Sequence, residues 1–287
     1  MMWFLFSILT ATFESLKDVS SKKGIKKADE YFVSWSLRFF SFLFLAPILF
    51  FTDIPPLGKP FFLALFTAGL IDSITTILYM KAIKGSDLSL SVPMLTFTPI
   101  FLLITSPIMI NEFPNFLGIL GVLLIVLGSY ILNFKEKRRG YLKPFKILLK
   151  ENGPKLMLIV AFIWGISSNI DKIGIRYSSP IFWAIAINLI ITCFIFPVML
   201  FKSKYNINEF KKNLKLMIPI GFFSALSVIF QMMAINIAFV PYVISIKRTS
   251  VIISVILGIL IFRERGLKEK LSGTLIMMIG VFLIGLS

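Results

Sequence analysis

Two adjacent cations, Lys247 and Arg248, lie inside a long apolar stretch of the chain that begins near residue 242. At 1.5 Å per residue they lie about 8 to 9 Å along an apolar helix. If that helix spans a membrane, an ionised group at this depth costs at least about 2.5 kcal/mol, so it faces a cavity or a partner. Arginine as a fork and lysine as a point charge are suited to binding an anionic substrate.

A structural interpretation of the same pair stays open. Lys247 and Arg248 could extend to the outer headgroups, or could pair with an acidic residue such as Asp72. Adjacent helical residues also point about 100° apart, so the two are not expected to face one cavity equally. We expect one cation to hold the substrate and the other to hold a helix.

Asp72 is the second candidate for chemistry, since it lies among Ser73, Thr75 and Thr76, with Tyr79 seven residues further on the same helical face. The group predicts a substrate or coupling site in which a carboxyl carries a proton. Neutralising a neighbouring Lys or Arg is an equally good interpretation. No second carboxylate in the central spans suggests a proton relay.

Four further polar residues in apolar stretches are candidates for lining the same cavity: Arg38, Asn169, Asn188 and Gln231. Each could instead make an interhelical hydrogen bond, worth about 0.6 to 2 kcal/mol. The same two interpretations, lining the cavity or making an interhelical hydrogen bond, apply to Glu14, Lys17, Lys172 and Asn236.

The elements that carry these residues are predicted to be membrane helices, because 57% of the 287 residues are hydrophobic. Apolar runs near the 20 residues needed to cross a bilayer recur with short gaps between them. The fold class is therefore an all-α integral membrane protein with ten transmembrane helices. The predicted spans are 2–18, 31–51, 60–80, 88–109, 115–133, 155–176, 180–200, 214–237, 242–262 and 270–286.

The net charge of +16 is distributed by loop and does not form one basic face, which argues against a nucleic-acid partner. Twenty-four Lys and Arg residues lie in the odd-numbered loops, and only Lys59, Lys172 and Arg176 lie in the others. The positive-inside rule then places the odd-numbered loops in the cytoplasm and both termini outside, in a multi-pass protein of the cytoplasmic membrane. The apolar start, Met1 to Thr10, is expected to be a retained first helix.

Residue types exclude several chemistries. The chain has no His and a single Cys193, so zinc sites, disulfide frameworks and Cys/His nucleophile pairs lack their ligands. No cofactor or metal is predicted, and the lack of a nucleophile or acid/base pair at membrane depth argues against an intramembrane enzyme. Without an ATP-binding loop, uphill work would use an ion gradient, a coupling proton or an exchanged solute.

The two halves of the sequence repeat at a shift of 152 residues. Gly69 falls on Gly221, and Ala82-Ile83 falls on Ala234-Ile235. Further on, Glu112 falls on Glu264, Gly121 on Gly273 and Gly128 on Gly280. Five spans per repeat is an odd number, so the second half would enter the membrane in the opposite sense, as in many secondary transporters. The predicted units are a first five-helix repeat over 1–134, a basic cytoplasmic linker over 135–154 and a second repeat over 155–287.

The repeated Glu and Gly residues are interpreted as structural. Glu112 and Glu264 lie beside helix starts, where a carboxylate binds free N–H groups. Gly121, Gly128, Gly273 and Gly280 are expected to allow close helix packing. These same residues, with Thr98-Pro99-Ile100-Phe101, Trp164-Gly165 and Asp171-Lys172, resemble the EamA domain of the drug/metabolite transporter superfamily.

That resemblance covers essentially the whole chain and implies a ten-helix bundle with a central cavity. The first helix departs from it by having Ala11-Thr12-Phe13-Glu14 in place of the Trp-Gly pair. The Lys247-Arg248 pair is similar to basic residues of the sugar-phosphate carriers in the same superfamily. The predicted function is a secondary transporter that moves a small metabolite, an anion or an amino acid, by alternating access in a lipid bilayer. A channel or lipid scramblase is the alternative.

Overall fold

The computed structural model describes residues 2–85, 91–132, 152–203, 207–250, 252–253 and 267–287. Within these ranges the chain folds into α-helices joined by short connections, and two 3₁₀ segments, Ala46–Phe51 and Val92–Phe97, flank them. No β-strand occurs in the described residues. The helices are α1 Met2–Ile25, α2 Glu30–Leu45, α3 Lys59–Gly85, α4 Thr98–Ile110, α5 Phe116–Leu132, α6 Asn152–Arg176, α7 Pro180–Lys202, α8 Ile207–Ile237, α9 Val240–Lys247 and α10 Leu267–Leu286.

Five helical stretches are long and apolar enough to cross a membrane: Glu30–Phe51, Lys59–Gly85, Asn152–Arg176, Pro180–Lys202 and Asn213–Ile237. Three shorter stretches are also apolar, namely Met94–Ile110, Phe116–Ser129 and Leu275–Leu286. These lengths and compositions support a multi-pass membrane protein.

Local sequence signals account for several helix ends. Asp29 caps α2, since its carboxylate accepts hydrogen bonds from the N–H groups of Tyr31 and Phe32. Ser179 caps α7 in the same way, and Pro180 occupies the first turn of that helix, where its missing N–H costs nothing. Asn111 ends α4 in the left-handed conformation, with φ of 56°.

The first helix is longer than its sequence predicts. The expected span ended at residue 18, but α1 continues to Ile25. Lys17 and Asp18 lie within the helix, buried and 3.2 Å apart. The predicted span contained both residues but ended seven residues before the helix does.

The helices pack as the repeat in the sequence suggests. Helices α1 and α8 pack together, and so do their equivalents α6 and α3. Helices α2 and α7 pack on each other, as do α5 and α10. In the last pair, Gly121 lies against Gly280 and Gly128 lies against Gly273, so rising residue numbers on α5 meet falling numbers on α10. These equivalent helices therefore run antiparallel.

The glycines of this pair permit a close approach of the two backbones. A Cβ atom on Gly128 would lie 2.6 Å from the carbonyl oxygen of Gly273, and one on Gly121 would lie 2.7 Å from that of Gly280. Such distances are too short for a carbon atom beside an oxygen, so any larger residue would separate the helices. Glu264 lies outside the described residues.

One end of the bundle contains a buried group of contacts that we call the end clamp. It consists of Glu112, Lys172 and the main-chain groups of Ile235, Ala238 and Val240. The Glu112 carboxylate accepts a hydrogen bond of 2.7 Å from the Val240 N–H, at the first residue of α9, and lies 3.3 Å from the Lys172 ammonium group. Lys172 also donates to the carbonyls of Ile235 and Ala238. Glu112 thus caps a helix of the other half of the chain instead of its own α5.

Candidate functional site

A cavity of about 90 Å³ lies in the interior, between the first three helices of each half and α9. Its wall contains seven charged side chains in addition to polar and apolar groups. From the first half the lining comprises Glu14, Lys17, Leu37, Arg38, Asp72, Thr76 and Tyr79. From the second half it comprises Trp164, Ser167, Ser168, Asp171, Ile187, Ser224, Val228, Gln231, Met232, Ile244, Lys247 and Arg248.

Helix α6 contributes one face to this cavity. Trp164, Ser167, Ser168 and Asp171 all line it, and their spacing of three, four and seven residues puts them on one side of a helix. Gly165 lies behind this face, where a Cβ would be 2.9 Å from Phe101 of α4. The residue types along the face change from an aromatic ring to hydroxyls to a carboxylate, so different parts of a ligand would meet different chemistry.

Lys247 and Arg248 both reach the cavity from the end of α9. Lys247 donates to the Gln231 side chain at 2.7 Å and lies 3.5 Å from Glu14. Arg248 is only 4% exposed and donates to the Thr98 hydroxyl at 2.9 Å. The two cationic groups lie 5.9 and 5.5 Å from the centre of the Trp164 ring.

Both cations therefore line the cavity, and Arg248 also contacts α4 through Thr98. Their backbone positions do diverge, but both side chains are long and flexible, so they can approach the same indole ring from different directions. The structural interpretation of pairing with an acidic residue holds for Lys247, but its partner is Glu14 and not Asp72.

Charged groups of α1 complete this part of the site. Lys17 lies between two carboxylates, 2.8 Å from Glu14 and 3.2 Å from Asp18. Ser227 of α8 donates to Glu14 at 2.9 Å, and the Tyr79 hydroxyl donates to Asp18 at 2.6 Å. The two carboxylates and two cations, counting Lys247, are thus matched by direct contacts. Tyr79 lines the cavity as its sequence position suggested, with its hydroxyl already engaged.

A second group of charges comes from α2, α3 and α6. Arg38 donates to the Thr76 hydroxyl at 2.9 Å and is 3.5 Å from the Asn188 side-chain oxygen. Asp72 accepts a hydrogen bond of 2.7 Å from Ser167, and Asp171 accepts one of 2.8 Å from the Trp183 indole. Asp72 is thus accompanied in the cavity wall by another carboxylate, Asp171.

Two of the predicted lining residues do not reach the cavity wall. Asn169 is fully buried and bonded to Ser106, Thr105 and the Gly165 carbonyl, so it joins α6 to α4. Asn188 is also fully buried; it bonds to the Ala184 carbonyl and orients Arg38 from behind. By contrast, the cavity wall contains Lys247, Arg248, Asp72, Tyr79, Arg38 and Gln231.

Sequence reasoning did not select Asp171, Trp164 or Ser167 as site residues. Asp171 and Trp164 were noticed only as part of a family motif. Their spacing at positions i, i+3 and i+7 of an apolar helix was the available signal, because polar residues at that period mark one buried face. No group of three or more His, Cys, Asp or Glu residues that could hold a metal ion occurs in the described part of the chain.

Comparisons with known proteins agree with this architecture. The sequence model of the EamA-like transporter family matches residues 1–134 and again residues 152–286. A solved crystal structure superposes with a TM-score of 0.73, covering 99% of this chain and 95% of that chain, at 12% sequence identity, which shows a shared fold. A search of curated proteins found no match. The chain therefore belongs to the EamA-like transporter family of the drug/metabolite transporter superfamily and is a multi-pass membrane protein.

Proposed function

We propose that the protein is a secondary transporter that moves a small metabolite across the cytoplasmic membrane by alternating access around the central cavity. The observation that carries this proposal is the cavity wall itself, in which charged side chains from both halves of the chain are buried together. Buried charges at membrane depth are costly and are retained where they bind a substrate or an ion. Their position between the two repeats is where transporters of repeated architecture bind their substrates.

The antiparallel packing of equivalent helices supports alternating access. If the two halves exchange conformations, the cavity opens first to one side of the membrane and then to the other. A channel would need a continuous path with a selectivity ring, and a scramblase would need a polar groove that faces lipid. The charged wall of this site is instead interior, with Arg248 and Glu14 each 4% exposed.

We further propose that both termini and the even-numbered loops lie outside, as the distribution of Lys and Arg favours. The end clamp then lies at the outer end of the bundle, since it joins the α4–α5 and α8–α9 connections. A substrate leaving to the outside would require the contacts of Glu112 with Lys172 and Val240 to separate.

Orientation can be tested with engineered cysteines, because Cys193 is the only cysteine in the chain. In a Cys193→Ser background, single cysteines at Ser86 and Ser178 are compared for labelling by an impermeant maleimide in intact cells. We expect labelling at Ser178→Cys alone until the cells are opened. Labelling of Ser86→Cys in intact cells would reverse the proposed orientation.

The transport mechanism is tested by counterflow in proteoliposomes loaded with unlabelled solute. A panel of labelled amino acids, sugar phosphates and small anions is offered outside, and a carrier shows saturable uptake that is accelerated by the same solute inside. Flux that is linear with concentration and insensitive to internal solute indicates a channel. Movement of labelled phospholipid between leaflets without solute exchange indicates a scramblase.

A matched pair of variants tests whether the substrate passes through the cavity. Ser168→Phe places a large ring in the cavity, whereas Cys193→Phe adds the same ring at an exposed position of α7. We expect Ser168→Phe to abolish exchange in protein that remains folded and Cys193→Phe to retain it. Exchange that survives in Ser168→Phe would show that the substrate takes another route.

A further inference from the structure

The end clamp has a counterpart in the first half of the chain. The Lys22 ammonium group donates a hydrogen bond of 2.9 Å to the Ile83 carbonyl, two residues before α3 ends. In the end clamp, Lys172 donates in the same way to the Ile235 carbonyl, two residues before α8 ends. We call the contact of Lys22 with the Ile83 carbonyl the opposite clamp. The same contact, from a lysine of the first helix to a carbonyl of the third, is thus made in each half.

Both partners of this contact are repeated in the sequence. In the first helix of each half the two sequences align at a shift of 150 residues, with three identical pairs: Lys22 with Lys172, Gly24 with Gly174 and Ile25 with Ile175. The capping residues of the second helices, Asp29 and Ser179, are also 150 residues apart. Ile83 and Ile235 are related by the shift of 152 residues found from α3 onward. A contact repeated in this way is expected when one device serves both sides of an inverted repeat.

The two clamps lie at opposite ends of the cavity, because α3 and α6 run antiparallel. Asp72 of α3 accepts a hydrogen bond from Ser167 of α6. Seven residues later on α3, the Tyr79 ring lies 5.6 Å from that of Trp164, which is three residues earlier on α6. Ile83 therefore lies toward the start of α6, whereas the end clamp lies toward the end of α6.

Each clamp joins two helices that line the cavity. Tyr79 and Gln231, each four residues before one of the two bound carbonyls, line the cavity wall. Four residues are about one helical turn, or 6 Å. On the lysine side, Lys17 lines the wall five residues before the lysine of the opposite clamp, and Asp171 lines it directly beside the lysine of the end clamp. Each contact therefore holds two lining helices together just beyond one end of the cavity.

The chemistry of the opposite clamp is suited to a contact that forms and breaks. Carbonyls in the last turn of a helix lack an intrahelical partner and carry the negative end of the helix dipole, so an ammonium group binds them well. Lys22 is partly exposed, near the end of α1. A lysine side chain at a helix end can extend to water, so the ammonium group is solvated when it leaves the carbonyl.

We propose that the two clamps open in alternation during transport: the contact of Lys22 with Ile83 breaks when the cavity opens to the cytoplasm, and the contact of Lys172 with Ile235 breaks when it opens to the outside. This inference rests on the proposed function and on the proposed orientation. While one clamp is open, the other keeps its two helices together. Opening both at once would cost both contacts, so access is restricted to one side at a time.

The test measures which side of the membrane has access to the cavity. Ser168, which lines the cavity, is replaced by cysteine in the Cys193→Ser background. Its rate of reaction with a small impermeant methanethiosulfonate is measured from the outside in intact cells and from the cytoplasmic side in inside-out vesicles. We expect Lys22→Met to raise the ratio of the cytoplasmic rate to the outside rate by at least about tenfold, because a hydrogen bond from a charged donor is lost. Lys172→Met should lower the ratio by a similar factor.

Two variants serve as controls for Lys22→Met. Lys23→Met removes the neighbouring lysine, which is exposed, and should leave the ratio of rates unchanged. Lys22→Arg keeps a charged donor at the same position and should preserve most of the original ratio. The inference is overturned if Lys22→Met behaves like Lys23→Met, or if Lys22→Met and Lys172→Met change the ratio in the same direction. The comparison at Lys22 is decisive even if Lys172→Met fails to fold.

The outcomes also separate this inference from the proposed function. Opposite changes of access in Lys22→Met and Lys172→Met, without counterflow of any solute by the unmodified protein, would support the two clamps and reject the carrier. Opposite changes with the two sides exchanged would support the clamps and reverse the proposed orientation. Counterflow by the unmodified protein, with no effect of either substitution on access, would support the carrier and reject the clamps.

Discussion

The end clamp and the cavity both bury charged residues between the two halves, but they differ in how well those charges are satisfied. In the end clamp, the Lys172 ammonium group has one carboxylate and two carbonyl partners, and Glu112 has an ammonium and an N–H partner. In the cavity, the Nε atom of Arg248 is buried and has no hydrogen-bond partner among the residues that the structure describes. A buried polar network in which every group has a partner stabilises the fold, whereas a group that lacks a partner is available to bind a ligand.

The largest expected effect on stability is in the end clamp. Lys172→Met removes the counter-charge of Glu112 and the donor to the Ile235 and Ala238 carbonyls, and should lower the free energy of unfolding by about 3 kcal/mol. Thermal unfolding in detergent measures the change. Glu30→Gln is the control, since its partner Lys84 is half exposed and the pair contributes about 1 kcal/mol or less. Equal losses in the free energy of unfolding of Lys172→Met and Glu30→Gln would show that the end clamp stabilises the protein no more than the surface ion pair does.

The α5–α10 contact should have the next largest effect. Gly128→Ala places a Cβ 2.6 Å from the Gly273 carbonyl oxygen, which the backbone cannot easily avoid, so we expect about 1 to 3 kcal/mol of destabilisation. Gly285→Ala on α10 meets its nearest atom, in the Phe4 ring, at 3.6 Å and should be nearly neutral. Both are compared by thermal unfolding. A neutral Gly128→Ala would mean that this contact does not depend on the close approach.

Substitution of a cavity cation should reduce transport more than it reduces the free energy of unfolding. Lys247→Gln removes one of two cations near Glu14, and Lys17 remains 2.8 Å away, so the free energy of unfolding should fall by about 1 kcal/mol or less. Counterflow by the same protein should fall at least tenfold, because a charge of the binding wall is lost. A variant that loses stability and exchange in proportion would place Lys247 with the structural charges.

The smallest expected effect concerns the ring between the two cations. Trp164→Leu removes the aromatic face over which Lys247 and Arg248 lie, at 5.9 and 5.5 Å from the ring centre. Each such contact contributes about 0.5 to 1 kcal/mol, so the loss of one corresponds to a rise of about two- to fivefold in the substrate concentration at half-maximal exchange. Trp164→Phe should restore much of the loss. A Trp164→Leu variant with unchanged half-saturation would show that the ring only fills space.

Much of the fold was predictable because membrane helices can be recognised from the length and composition of their apolar segments. The breaks at Ser179-Pro180 and Asn111 lie where capping chemistry requires them. The end of α1 was not predictable from hydropathy, since Lys17 and Asp18 lower the hydropathy at the end of the predicted span although they are paired and buried in the structure. Hydropathy treats each charged residue separately, whereas the burial of a charged residue depends on whether an opposite charge lies beside it.

The candidate site was predictable only in part, for the same reason. Lys247 and Arg248 were conspicuous as cations in apolar sequence, and both line the cavity. Asp171 was equally deep in its helix but appeared in the sequence only as part of the Asp171-Lys172 family motif. In the structure the two side chains diverge, with Asp171 bonded to Trp183 in the interior and Lys172 in the end clamp.

By itself, the sequence determined that this chain is a helical membrane protein with two related halves, because apolar length, loop charge and repeated residues are local or periodic properties. Only the tertiary structure decided which polar residues share a cavity. That choice depends on contacts between residues far apart in the chain, such as Arg248 with Thr98 and Ser167 with Asp72. A polar residue in an apolar helix is costly whether it joins two helices or lines a site, and only its partners distinguish a helix contact from a binding site.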